Sequence, residues 1–428
     1  MSEESKYVNL PDHTELFGKF ETMFSQLPTK KTKEDKAEDN LGFEYNAENI
    51  KELNEKLDKL LQSEENLALL EYHISEVYNA SQVSEEDYGT LAFIMNKIES
   101  LLASDEYIRE TYGIPKVENF GSSANTLWNM DSDVDIVIEF TKPGHHEKGE
   151  ANKYQKGNRN KDKKEDKKQS KYDQLKYFDT KKALIDIRNV LRVMAKNKDI
   201  ESIFNSRVPL LKFKHAKTMI DIDICLNNSI GIPNSRMTRL FSEFDQRAHI
   251  MIKYLRTLLK QSGLLNGEQG CLSSYCVILM VIAFLQQQEE PVLPNLHQGA
   301  EADKNKAFYA VSSNKFGRTD CKEIKFALNE DLKQVGESFA SKNTKTVAQL
   351  VIEFLRFYFL NSEGVMPIID VSRGGFVFKD TDKLALFDIV EPLDPSSKVG
   401  LGCRKDEHHA ASYVKFAFDF CKNIVDHQ

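Results

Sequence analysis

The chain has 428 residues, 40% of them hydrophobic and 29% charged, which excludes a fibrous or wholly disordered polypeptide and predicts a globular protein of two to three domains. Against 58 basic residues stand 66 acidic ones, and the formal net charge of −8 argues against indiscriminate binding to polyanions. Local basic patches can still act, because fields reach about 8–10 Å at physiological ionic strength.

The longest uninterrupted apolar run, Tyr275 to Leu285, is 11 residues long. A membrane span needs about 20, so this run predicts a buried helix and no membrane partner. The opening MSEESKYVNL has no apolar stretch of the kind a secretory signal needs. The six cysteines (Cys225, Cys271, Cys276, Cys321, Cys403 and Cys421) are scattered without a CxxC pair. They predict reduced thiols, a cytoplasmic or nuclear setting, and no zinc site.

In chain order, residues 1–45 are polar and charged and are expected to be a mobile tail. From Asn46 to Ser104 the period is helical, with Ile50, Leu53, Leu57, Leu60 and Leu61 down one face, and two or three helices are expected. After Gly113 the period shortens. Asp133 to Phe140, Arg207 to His215 and Met219 to Leu226 alternate as strands do, and KHAKT between the last two predicts a hairpin. Ala183 to Met194 has helical spacing. Beyond Asn234 the helical period returns in Phe241 to Leu265, Leu272 to Gln288 and Thr346 to Leu360. Short strand-like pieces, PIIDV, GGFVF and LALFDIV, follow. Lys142 to Tyr172 holds eleven basic residues against five acidic ones and almost nothing apolar. It reads as a disordered basic insertion, and as a candidate electrostatic tether for RNA phosphates.

The chemistry concentrates in FGSSANTLWNMDSDVDIVIEF, residues 120–140. Strand side chains alternate, so Asp133 and Asp135 share one face while Val134 points into the core. Two carboxylates held close repel unless a cation sits between them, and hard oxygens at this spacing suit Mg²⁺, with Mn²⁺ as an alternative. Gly121 lets backbone approach a phosphate, and the Ser122 hydroxyl with the N–H groups at the start of a following helix would hold its oxygens. A third carboxylate is needed to bring a hydroxyl to the metal and accept its proton. MIDIDICLNN offers Asp221 and Asp223 on one strand face.

FGSS, DSDVDIVI and DICLNN together resemble the signature of DNA polymerase β-like nucleotidyltransferases, specifically the non-canonical poly(A) polymerases and terminal uridylyltransferases. By that resemblance Asp223 matches the third acid, and Asp133, Asp135 and Asp223 are the catalytic and metal-holding residues. The resemblance extends over residues 98–400 in pieces. It places Asn234 at a ribose contact and Arg256 and Lys260 on the triphosphate, one helical turn apart. Ser274 falls on phosphate and Tyr275 against the base. Arg256 stands where a Lys is common, and a guanidinium grips phosphate as a fork rather than a point charge. The competing structural readings are a boundary role for Tyr275, a solvated helix face for Arg256 and Lys260, and packing against the sheet for Trp128.

What the resemblance implies is an α+β fold, a polymerase β-like palm sheet with a mainly helical second domain. The expected division is a tail over 1–45, N-terminal helices over 46–97 packing with the helical domain, a catalytic domain over 98–229 carrying the insertion 142–172, and a helical domain over 230–428. The implied activity is template-independent transfer of a nucleotide from an NTP to an RNA 3′ end, with UTP as the preferred donor and ATP as the alternative. The base is read at Ser397, where uridylyl relatives carry His and adenylyl relatives often Asn; a hydroxyl can donate or accept and does not choose. No RRM, KH or zinc-finger motif accompanies the motifs, so RNA specificity is expected to be either weak or supplied by a protein partner. A reading of another class is an inactive scaffold that binds RNA or a partner.

Overall fold

Alternating apolar residues build the centre of the molecule. In this computed structural model, β1 (Pro115–Phe120), β2 (Val134–Phe140), β3 (Glu201–Ile203), β4 (Leu210–Lys214) and β5 (Asp221–Leu226) form one sheet in the order β1-β2-β5-β4-β3. The β2–β5 pair is parallel and the other three pairings are antiparallel. The structure describes residues 46–62, 67–129, 131–141, 175, 178–301, 308–313, 319–360, 367–377, 386–400, 403 and 407–426. The tail and the insertion 142–172 expected from the sequence lie outside these residues.

The described residues fall into two compact units. One is Gln82–Arg239 with Glu301–Ala327; the other takes in the described residues up to Ser81 with Leu240–Ala300 and Leu328–Gln428. This partition differs from the sequence-based division. The helix α3 (Glu85–Ser104) groups with the sheet because Leu91, Ile94, Ile98 and Leu102 pack in one core with Val134, Ile136, Leu211, Ile222 and Ile224. Residues 301–327 join the same unit through a hairpin that periodicity did not reveal, β6 (Phe308–Ser313) with β7 (Thr319–Ile324). Its Tyr309 N–H donates to Ser229 Oγ at 3.1 Å, and its Val311 N–H to Asn228 Oδ1 at 3.0 Å.

The sheet unit also contains the short α4 (Glu106–Thr111) and α5 (Thr180–Leu191). Asp179 caps α5 by accepting from the Lys182 N–H, and Ala183, Leu184, Ile187 and Leu191 are its buried stripe. The two asparagines that end β5 serve the backbone. Asn227, with φ 55°, accepts at Oδ1 from the Phe140 N–H and extends the β2–β5 seam; Asn228 holds the hairpin.

The helical unit begins with α1 (Ala47–Leu60) and α2 (Ala68–Ala80). The apolar run expected as one helix over 241–265 is two, α6 (Gly231–Phe244), whose residues up to Arg239 belong to the sheet unit, and α7 (Gln246–Gln261). Asp245 has extended backbone and caps α7 through the Arg247 N–H, which ends one helix and starts the next. The run at 275–285 lies in α8 (Ser274–Gln286), buried all round from Cys276 on, as a helix without a polar face must be. After the short α9 (Leu332–Ser338) comes α10 (Val347–Phe359), opened by a capping box between Thr346 and Gln349. Two small ribbons follow, β8 (Ile368–Asp370) with β9 (Gly375–Val377) and β10 (Val390–Glu391) with β11 (Asp394–Lys398), and then α11 (Glu407–Asp426). Tyr413 of α11 ties this core together: its hydroxyl donates to the Leu264 carbonyl and accepts from the Leu272 N–H. All six cysteines are buried thiols, and no helix among the described residues is long and apolar enough to cross a membrane.

Candidate active site

Register brings the acids together. Asp135 on β2 lies opposite Asp223 on β5, and Asp223 lies opposite Lys212 on β4, so three charged residues form one row across three strands. Asp133 immediately precedes β2 and shares the face of Asp135, while Val134 between them is fully buried. Lys212 Nζ donates to Asp133 Oδ2 at 3.1 Å and to Asp223 Oδ2 at 3.2 Å. The next row out pairs Lys214 with Asp221 at 2.7 Å. Asp223 is the more enclosed of the two β5 acids, with 15% of its side chain exposed against 42% for Asp221. The structure therefore groups Asp133, Asp135 and Asp223 and leaves Asp221 to its own lysine.

The environment disfavours charge on these acids. Burial, then the neighbouring Asp223 and Asp133, pushes Asp135 up to about 7, against a smaller opposing pull from Lys212. Burial pushes Asp223 up to about 6, although Lys212 draws it down. Burial would lower the Lys212 ammonium, but Asp223 and Asp133 outweigh it and its pKa is raised. Asp223 Oδ1 is buried without a hydrogen-bond partner. Three clustered carboxylates with one buried, unpartnered oxygen fit hard divalent cations.

The Gly-Ser turn is built against this cluster. After β1 the chain makes a single 3-10 turn, Gly121–Ser123, and not the longer helix expected from the sequence. Gly121 has φ +69°, and a β-carbon there would collide with Asp135 Oδ2. The glycine thus makes room for a carboxylate as well as permitting the turn. Its N–H donates to Ser235 Oγ at 2.7 Å, and Ser235 Oγ donates to the Gly231 carbonyl at 2.7 Å. This amide is therefore engaged by α6. Ser122 is half-buried in the turn. Asn125 Nδ2 donates to Thr238 Oγ1 at 2.9 Å, a second tie to α6. Trp128 is fully buried, and its Nε1–H donates to the Ser132 carbonyl at 3.3 Å, directly before Asp133. Its role is packing and loop anchoring.

Asn234 lies in the first turn of α6, and its Oδ1 is buried without a partner. The remaining candidates belong to the helical unit. Arg256 and Lys260 are one turn apart on α7, but Arg256 is 5% exposed while Lys260 is exposed. Ser274 and Tyr275 open α8; Ser273 before them is its cap and accepts from the Cys276 N–H. The half-buried Tyr275 donates its hydroxyl to Glu391 Oε1 at 2.9 Å. Burial, then Glu391, raises the Tyr275 pKa. Ser397 on β11 donates to Asp394 Oδ2 at 3.0 Å, and Ser396 to the other oxygen at 2.7 Å. Ser235, Lys212 and Glu391 were missed by sequence reasoning. Only cross-strand register could have suggested Lys212, since β4 and β5 form a hairpin whose pairing can be counted from KHAKT.

A mixed sheet whose parallel pair presents two acids from one strand and a third from the next, beside a Gly-Ser turn, has the palm architecture of polymerase β-like nucleotidyltransferases. The family model of the mitochondrial-like poly(A) RNA polymerase central palm domain matches residues 70–243. Terminal uridylyltransferase 7 of Homo sapiens is 24% identical over 300 residues, covering 70% of this chain and 18% of that protein. The Speckle targeted PIP5K1A-regulated poly(A) polymerase of Danio rerio is 31% identical over 193 residues, covering 43% of this chain and 22% of its own length. The crystal structure of mtPAP in complex with ATPγS superposes with a TM-score of 0.62 at 21% identity, over 86% of this chain and 70% of that one. The chain thus spans about a fifth of the length of these two curated relatives. It carries a match to that palm-domain family over residues 70–243, its homologues are terminal uridylyltransferases and non-canonical poly(A) polymerases, and its fold is that of polymerase β-like nucleotidyltransferases.

Proposed function

We propose that this chain adds nucleotides to RNA 3′ ends without a template, with UTP as the preferred donor. The observation that carries the reading is the convergence of Asp133, Asp135 and Asp223 beside the Gly121–Ser123 turn. Asp133 and Asp135 would hold two Mg²⁺ ions, and Asp223 the one beside the attacking hydroxyl. Bound there, the ions would supply Lewis-acid stabilisation to the attacking and leaving oxygens of the transfer.

The chain's own residues do the positioning. Asp223 draws in the RNA 3′-hydroxyl and accepts its proton as the oxygen attacks the α-phosphorus, and pyrophosphate leaves. In the sheet unit Ser122 is the phosphate contact, Gly121 sets the turn, and Asn234 is the ribose contact; Arg256, Lys260 and Ser274 are the triphosphate candidates of the helical unit. Tyr275, oriented by Glu391, stacks on the base. Ser397, the residue the resemblance assigns to reading the base, has its hydrogen committed to Asp394, which leaves an acceptor oxygen. That oxygen suits uracil N3–H and adenine N6–H alike. The match to the uridylyltransferase over 70% of this chain supports UTP, and the 31% identity to a poly(A) polymerase supports the second reading, ATP. RNA selection by a separate protein belongs to the same proposal, as does a cytoplasmic or nuclear setting.

The test is to incubate the pure protein with labelled RNA and Mg²⁺, one NTP at a time. Ladder formation with UTP above the other three is the expected result. A ladder with ATP alone moves the chain to the second reading, and none with any NTP leaves the inactive scaffold.

A further inference from the structure

Lys212 stands in the middle of β4, between the buried Leu211 and Phe213, so the pleat fixes its side chain on the open face of the sheet. Lys214 on the same face ends on Asp221 and the Met219 carbonyl. Lys212 reaches past its own partner on β5 to the carboxylate just before β2, bridging Asp223 Oδ2 and Asp133 Oδ2. These are oxygens that a divalent ion between the two acids would need. An ammonium and a dication cannot both hold them, because each repels the other at contact distance. Asp223 is divided accordingly: Oδ2 is taken by the lysine, and Oδ1 is buried without a hydrogen-bond partner.

We propose that Lys212 is a positioning residue: its ammonium occupies the gap between Asp133 and Asp223 until a divalent cation arrives, and it then yields that gap. A consequence follows for the chain. An ion arriving without nucleotide must displace a cation and binds weakly. An NTP arriving with it offers the displaced ammonium a phosphate instead. The inference rests on the reading of the three acids as ion ligands.

The probe is Mn²⁺ alone, without nucleotide or RNA, titrated into the purified chain and followed by electron paramagnetic resonance of the free ion. K212M removes the competitor and should bind Mn²⁺ about tenfold tighter than the native chain. K212R keeps a cation in place and should stay within about twofold of native. Removal of a merely structural lysine would loosen the acids and weaken Mn²⁺ binding. Unchanged or weaker binding by K212M therefore overturns the proposal. Should K212M fail to fold, the native chain carries the test. Acylation of Lys212 by an amine-reactive ester, read by mass spectrometry, should rise severalfold when Mn²⁺ is added, and constant labelling overturns the proposal. A D223N control separates the two claims, because native-like Mn²⁺ binding by D223N overturns the ion-ligand reading itself and this proposal with it.

Discussion

Asp135 is held where its charge is least welcome, half-buried on β2 with Asp223 opposite and Asp133 two residues away. Its raised pKa, about 7, expresses that cost. Replacing it by Asn removes the charge and keeps the shape. We expect D135N to abolish nucleotide addition while raising the melting temperature of the metal-free protein by about 2–4 °C at pH 8, read by scanning calorimetry. A lower melting point would mean that the carboxylate is stabilising as it stands. Gly121 is the matching case on the other side of the contact. G121A adds a methyl group that meets the Asp135 carboxylate at a positive φ. It should cost about 1–2 kcal/mol of stability in denaturant titration and lower turnover at least about a hundredfold. These residues were readable from the sequence because alternation and spacing carry them. Ser235, which accepts the Gly121 N–H from 114 positions away, was not, since no local pattern records a contact across that separation.

At the scale of elements, the strands and helices that pack by a single period were legible, and those set by a cap or a distant partner were not. The run 241–265 keeps its apolar spacing straight through Asp245, so only the cap geometry at that residue reveals two helices. The β6–β7 hairpin is held by Asn228 and Ser229, whose role depends on tertiary placement. The α2–α7 contact shows what such pairing does to a titratable group. His73 on α2 is 5% exposed, and its Nδ1 lies 2.8 Å from the Tyr254 hydroxyl on α7. Burial pushes its pKa down to about 4 from 6.5. Below 6.5 the unfolded chain takes up a proton at this site that the folded chain refuses, so stability is full above 6.5 and is lost as pH falls towards 4. The effect is on the order of 3 kcal/mol at its limit. We expect the free energy of unfolding to fall between pH 7 and pH 4.5, and a His73→Gln variant, though less stable at pH 7, to show a shallower slope over that interval. Parallel slopes would assign the acid sensitivity to other groups.

At the scale of the whole molecule, charge is distributed against the function that the site supports. The chain carries −8, yet the segment 142–172 carries a net +6, so the rest carries −14. An RNA end approaching the remainder meets net repulsion, and the insertion is the one strongly basic stretch that can offset it. It also leaves the chain two residues after the end of β2, the strand that holds Asp135. Each phosphate contact on a single strand contributes about 0.7 to the slope of log affinity against log salt. If the segment engages even three phosphates, deleting residues 142–172 should flatten that slope by about 2, weaken binding most at low salt, and leave Mn²⁺ binding at the acids unchanged. Filter binding of a labelled oligonucleotide from 50 to 300 mM salt reads the slope directly, with the D223N chain as the control that keeps the insertion and loses only the site. An identical slope in the deleted chain makes the segment a spacer, and RNA affinity then has to come from the folded units or from a second protein.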